Sequence, residues 1–158
     1  MLRPTRTILR ALAALTVLVA ALSFSACGGG DDGLSKDEYK NKSQAISDKL
    51  KTDLSSAQQS LQSGDDQQQL SGLTQFKASL TDARSKLEAL DPPGDFKDVH
   101  NKLVDALKKS EASTQEVVSA ANANDKARAQ TAVQKFQSDL QSLSGVGSEY
   151  DKKVGTKS

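Results

Sequence analysis

The sequence predicts an all-α protein: an antiparallel up-down four-helix bundle that follows a cleaved signal peptide and a flexible Gly/Asp tether. Aromatic residues make up only 4% of the 158 residues and there is no Trp, whereas strands favour aromatic and β-branched side chains. From residue 34 onward, apolar residues recur at helical spacing in four stretches. Short breakers separate these stretches, so we expect neighbouring helices to run antiparallel and to bury their apolar stripes against one another.

The first helix is predicted over about residues 35 to 63. It begins at "SKDE", a capping box in which the Ser35 oxygen and the Glu38 carboxylate can satisfy unpaired amides. Its apolar stripe repeats mostly every three or four residues and consists of Tyr39, Ile46, Leu50, Leu54, Ala57 and Leu61. Ser63 and Gly64 are expected to end it.

The second helix is capped by Asp65 or Asp66, and Gly72 lies inside it at a cost of roughly 1 kcal/mol relative to Ala. Its stripe consists of Leu70, Leu73, Phe76, Leu80, Ala83, Leu87 and Leu90. The "DPPG" stretch at residues 91 to 94 ends the helix, because prolines remove amide donors and disfavour helical angles in the preceding residue.

Asp95 is predicted to cap the third helix, whose stripe consists of Phe96, Val99, Leu103, Leu107, Thr114, Val117 and Ala121 and is weakly apolar at Ser110. "NAND" then breaks the pattern, and Asn124 or Asp125 can cap the fourth helix. That stripe consists of Ala129, Val133, Phe136, Leu140 and Leu143.

Gly145 and Gly147 are expected to end the fourth helix, which limits the bundle to residues 35–147. The remaining residues, 148–158, are expected to form a frayed basic tail or a short helical turn around Tyr150 and Val154.

Residues 1–26 have the composition of an export signal. Arg3, Arg6 and Arg10 form a basic region, and an apolar run of about 12 residues follows, which is short of the roughly 20 needed to span a bilayer. The only cysteine, Cys27, comes directly after Ser25 and Ala26. Residues 27–34 then provide a Gly- and Asp-rich segment of the kind that forms flexible tethers.

The "SFSAC" stretch resembles the lipobox of bacterial lipoprotein precursors, with Phe24 where the lipobox usually has Leu. The resemblance implies that the thiol of Cys27 receives a diacylglyceryl group and that the mature chain begins there, on the outer face of the cytoplasmic membrane. Two alternatives stay open: ordinary cleavage after Ser23, which would leave Cys27 as a free thiol, and an uncleaved anchor.

A second resemblance covers the centre of the chain. The stretch "LEALDPPGDFKDVHNKLVDALKKS", from Leu87 to Ser110, and the "CGGGDD" junction are similar to those of small exported, lipid-anchored helical proteins of high-GC Gram-positive bacteria. Those proteins share a leucine-rich helix, a Pro-Pro break and a histidine near the start of the next helix. The resemblance implies export and a lipid anchor, and it transfers no catalytic residue.

Charge and residue types exclude several function classes. Without residues 1–26 the chain has 18 basic and 20 acidic side chains, whereas nucleic-acid recognition requires clustered Lys and Arg. The single histidine, His100, has no second histidine with which to form a metal site. We expect it to lie at the edge of the core and to hydrogen-bond a neighbouring loop, with a ligand-binding or proton-sensing role as the alternative. No catalytic motif is present, so we expect no enzyme, no cofactor and no metal.

The sequence therefore predicts a lipid-anchored bundle of the cell envelope that acts through interaction with an envelope protein. The alternative is a ligand-binding or sensing bundle that holds a small apolar molecule between helices near Phe76, Phe96 and Phe136.

Overall fold

A computed structural model describes residues 33–62 and 65–154. Over these residues the chain forms four α-helices and one short 3₁₀ turn, with no β-strand. The helices are α1 (Lys36–Leu61), α2 (Asp66–Glu88), α3 (Lys97–Asn122) and α4 (Lys126–Val154), and the 3₁₀ turn Gly94–Phe96 precedes α3. The predicted all-α four-helix bundle is confirmed.

Ion pairs between neighbouring helices show that these helices run antiparallel. Lys102, near the start of α3, pairs with Glu149 near the end of α4 at 2.6 Å. Arg128, at the start of α4, pairs with Glu116 near the end of α3 at 2.6 Å. The same reversal relates α1 to α2 and α2 to α3.

The start signals of α1, α2 and α4 act as predicted. Ser35 and Glu38 form the capping box, with the Glu38 amide donating to the Ser35 hydroxyl at 3.3 Å and the Ser35 amide donating to the Glu38 carboxylate at 3.2 Å. Asp65, rather than Asp66, accepts two amide hydrogen bonds of 2.9 Å at the start of α2. Asp125 accepts from the Arg128 amide at 3.0 Å.

Asn124 ends α3 instead of capping α4. It has a φ of 52°. Its amide donates to the Ala121 carbonyl and the Asp125 amide donates to the Ala120 carbonyl, both at 3.1 Å. These two bonds are those of a Schellman motif, in which a left-handed residue, sometimes Asn, satisfies the last free carbonyls of a helix.

The predicted cap of α3 is wrong. Asp95 lies within the 3₁₀ turn, and Phe96 precedes α3 without a side-chain cap. The Asp95 carboxylate instead accepts a hydrogen bond from the Lys36 ammonium at 2.7 Å. It is therefore used to hold the α2–α3 connection against the start of α1.

The predicted end of α4 is also wrong. The helix continues through Gly145 and Gly147 to Val154, so residues 148–154 belong to the bundle. Tyr150 and Val154 are 3% and 1% exposed. Burial of these two side chains offsets the helix-breaking preference of the two glycines, because tertiary packing overrides local propensity.

The core divides into two clusters of buried side chains. The larger one occupies the middle of the bundle and the end near the α1–α2 connection, and it consists of Ala57, Leu61, Leu73, Phe76, Leu80, Leu87, Leu107, Val117, Ala132, Val133 and Phe136. The smaller one lies where the start of α1 meets the end of α4, and it consists of Tyr39, Phe96, Val99, Tyr150 and Val154. The candidate site lies between the two clusters.

Candidate ligand cavity

The residues singled out by the sequence fall in different places. Cys27, the predicted signal peptide 1–26 and most of the predicted tether lie outside the described residues. Phe76 and Phe136 form an edge-to-face pair with ring centroids 5.6 Å apart, whereas Phe96 belongs to the smaller cluster. The structure thus brings together two of the three phenylalanines predicted to surround a ligand.

A cavity of about 140 Å³ lies elsewhere, between the two core clusters, and is partly open to solvent. All four helices contribute to its wall, which is almost entirely apolar and contains none of the three phenylalanines. Its lining consists of Ser43, Ile46, Ser47 and Leu50 from α1, Ala83 and Leu87 from α2, Leu103 and Leu107 from α3, and Leu143, Gly147 and Tyr150 from α4.

The cavity exists because α1 and α4 close on each other incompletely. Extensive close backbone packing joins α1 to α2, α2 to α3 and α3 to α4, and α1 and α4 lack it. We call the line along which α1 and α4 face each other the α1–α4 seam. Small residues occupy both of its sides: Ser43 and Ser47 on α1, and Gly147 on α4. A Cβ at Gly147 would meet no atom within 4 Å. Side chains large enough to fill the space between α1 and α4 are therefore missing beside these three residues.

A chain of buried polar groups borders one end of the cavity. The hydroxyl of Tyr150, which lines the cavity, donates to the hydroxyl of Tyr39 at 3.0 Å. The Tyr39 hydroxyl lies 2.9 Å from Nδ1 of His100. The Tyr39 proton is not used toward Tyr150, so in the tautomer that carries its proton on Nε2, Tyr39 donates to Nδ1 of His100.

Burial keeps the three hydrogen-bonded side chains, Tyr150, Tyr39 and His100, uncharged. It lowers the pKa of His100 and raises the pKa of both Tyr39 and Tyr150. His100 is 5% exposed and, as expected, forms a hydrogen bond, although its partner lies on a neighbouring helix rather than on a loop.

The sequence pattern does not predict the Tyr39–Tyr150 contact. The pattern places Tyr39 in the stripe of α1, but it places Tyr150 in a tail or a short helical turn beyond the bundle. One signal was available, since these are the only two tyrosines of the chain and they lie near opposite ends of the domain. Buried tyrosines usually need a hydrogen-bond partner for the hydroxyl, and each can supply the other's.

Two further properties concern only residues 33–62 and 65–154. Among them no group of three or more His, Cys, Asp or Glu side chains is placed to hold a metal ion. No helix within these ranges is long and apolar enough to cross a membrane.

Comparison of the chain with protein-family models, with curated proteins and with solved structures finds no match.

Proposed function

We propose that the helical bundle binds a small apolar molecule in the cavity between its four helices, as part of an exported protein anchored to the cell envelope through Cys27. The observation that carries the binding role is the apolar cavity of about 140 Å³. An engineered apolar cavity of about 150 Å³ in another helical protein stays dry and binds benzene or xenon. The space beside Leu87, Leu107 and Leu143 suits a ligand of similar size.

The expected affinity follows from the volume. A ligand that buries six carbons at about 0.8 kcal/mol each gains about 5 kcal/mol, which corresponds to a Kd on the order of 0.2 mM. The small fraction of polar wall favours hydrocarbons and aromatic rings over charged or strongly hydrogen-bonding molecules.

Toluene titration of the processed full chain tests this role, with leucine methyl NMR signals as the readout. We expect the methyl signals of Leu87, Leu107 and Leu143 to shift with saturation in the wild type. In Gly147→Leu the new side chain occupies the cavity, so the shifts should disappear. Gly145→Leu is the matched control, because residue 145 lies on the exposed face of the same helix and should leave the titration unchanged.

The binding role would be refuted by toluene shifts that are equal in Gly147→Leu and in the wild type, or by shifts that never saturate. Methyl signals from leucines remote from the cavity provide an internal reference, because nonspecific binding would move them as well.

The lipid anchor is supported by the lipobox-like "SFSAC" stretch and by the basic and apolar segment before it. Intact mass and membrane fractionation test it, with Cys27→Ala as the comparison. A diacylglyceryl increment on Cys27, lost in the variant, is the expected result, and a mass beginning at Phe24 with a free thiol would contradict it. An interaction role with an envelope protein stays a prediction, since no observation in the described residues bears on it.

A further inference from the structure

The last turn and a half of α4 is joined to the rest of the helix by an intrinsically weak segment. Residues 144–148 read "SGVGS", and glycine in a helix interior costs about 1 kcal/mol relative to Ala. Packing does not offset this cost locally, because neither Gly145 nor Gly147 approaches another element closely enough for a Cβ to meet an atom within 4 Å. The helix is therefore easiest to break beside the cavity.

Beyond this segment, residues 149–154, here called the α4 end, are held by side-chain contacts at the smaller cluster. Tyr150 and Val154 are buried there, and Tyr150 donates its hydroxyl hydrogen bond to Tyr39 on α1. Tyr150 is also part of the cavity wall. A movement of the α4 end away from Tyr39 would thus remove part of that wall.

The hydrogen bond from Tyr39 to His100 depends on a neutral imidazole. A proton on Nδ1 converts the acceptor into a donor, so the Tyr39 hydroxyl has to turn and accept instead, and a positive charge is placed in a buried site. Among the described residues, Tyr39 from α1 is hydrogen-bonded to His100 and Tyr150 from α4 lies behind it. Asp151 lies beside Tyr150 on the α4 end, and burial raises the pKa of its carboxyl group.

The charged side chains at this end of the bundle include Lys36, Lys153 and Asp95. Lys36 and Lys153 both lower the pKa of Asp95, and burial alone lowers the pKa of His100. Among the described residues no carboxylate contributes to the pKa shift of His100, so a buried imidazolium would have no counter-charge and would favour a form in which the α4 end moves aside and admits water.

We propose that the Tyr150–Tyr39–His100 hydrogen-bond chain is a latch that holds the α4 end over the cavity, and that protonation of His100 releases it and opens the cavity. Opening itself does not depend on the ligand; only its consequence, faster ligand release in acid, rests on the proposed function.

Hydrogen exchange of the processed full chain at pH 7.5 and pH 5.0, corrected for the intrinsic pH dependence of exchange, tests the latch without any ligand. In the wild type we expect protection of residues 149–154 to fall about tenfold at the lower pH, equivalent to about 1.4 kcal/mol, while residues 130–140 keep their protection. Tyr39→Phe should show the low protection at both pH values. Glu149→Gln, the control, removes the surface pair with Lys102 and should keep the wild-type pH response.

Equal protection of residues 149–154 at the two pH values would overturn the proposal, as would a loss shared with residues 130–140 or a wild-type response in Tyr39→Phe. Should Tyr39→Phe fail to fold, Tyr150→Phe removes the same hydrogen bond from the other side. Toluene dissociation rates at both pH values form a separate arm. If toluene binds at neither pH, only the ligand role is refuted. If toluene binds but the protection of residues 149–154 is the same at both pH values, only the latch is refuted.

Discussion

Replacement of Gly72 by Ala should destabilise the protein, although Ala is the better helix former. Ala in a helix interior is favoured by about 1 kcal/mol over Gly. At this position, however, a Cβ would lie 2.9 Å from the Cβ of Ser60, 3.1 Å from the Ala57 carbonyl oxygen and 3.1 Å from the Leu61 amide nitrogen. Carbon atoms pack at about 3.5–4.0 Å, so α1 and α2 must separate, and overpacking of this kind costs about 1–3 kcal/mol.

We therefore expect Gly72→Ala to lower the free energy of unfolding by about 1 kcal/mol, the balance of these opposing effects. Gly145→Ala is the matched control, since a Cβ there meets no atom within 4 Å and the substitution should stabilise by about 1 kcal/mol. Urea denaturation followed by circular dichroism at 222 nm measures both. If Gly72→Ala proves as stable as Gly145→Ala, the close approach of α1 and α2 has been misjudged and helix propensity alone governs both sites.

Three further predictions concern the start of α1, the core and the buried histidine. Ser35→Ala removes the capping-box acceptor and should lower the free energy of unfolding by about 1 kcal/mol in the same urea assay, whereas an unchanged midpoint would show that α1 frays at its start. Phe136→Ala deletes a fully buried ring and should cost about 3–5 kcal/mol, seen as a large drop in melting temperature; a loss below about 1 kcal/mol would contradict the tight Phe76 pair. Because burial lowers the folded-state pKa of His100 below 6.5, the unfolded chain takes up the proton first, and stability should decline as pH falls below about 6.5, by at most about 1.4 kcal/mol per pH unit. Urea titrations at pH 7.5, 6.5 and 5.5 measure this slope, and a flat profile in the wild type would exclude a buried neutral histidine.

The starts of the helices could be predicted because they depend on short-range hydrogen bonds. Ser35 reaches the amide of Glu38 three residues later, and Asp65 reaches amides two and three residues later. Asp95 has the same local pattern but is used differently, because its partner Lys36 is 59 residues away in the chain. A capping rule reads only the nearby sequence, so it could not foresee that contact.

The prediction that α4 ends at Gly145 and Gly147 is wrong for a related reason. Gly145 and Gly147 are valid local signals for the end of a helix. They are overruled by Tyr150 and Val154, whose burial depends on Tyr39 from the other end of the domain. A local rule misses this effect because the stabilising contact joins residues 111 positions apart in the sequence.

The cavity could not be predicted, because it results from the way the first and last helices meet. Each of the other three neighbouring helix pairs is joined by a short connection, whereas α1 and α4 are brought together only by side chains. Ile46 and Leu50 on α1 and Leu143 on α4 consequently remain half-buried, although their spacing is that of core residues. Separation of this seam requires no change in a connecting segment, so it is the part of the bundle that can open at the smallest cost in lost contacts. A molecule bound in the cavity would contact α1 and α4 at once, and its binding should protect the α4 end more than any other part of the described chain.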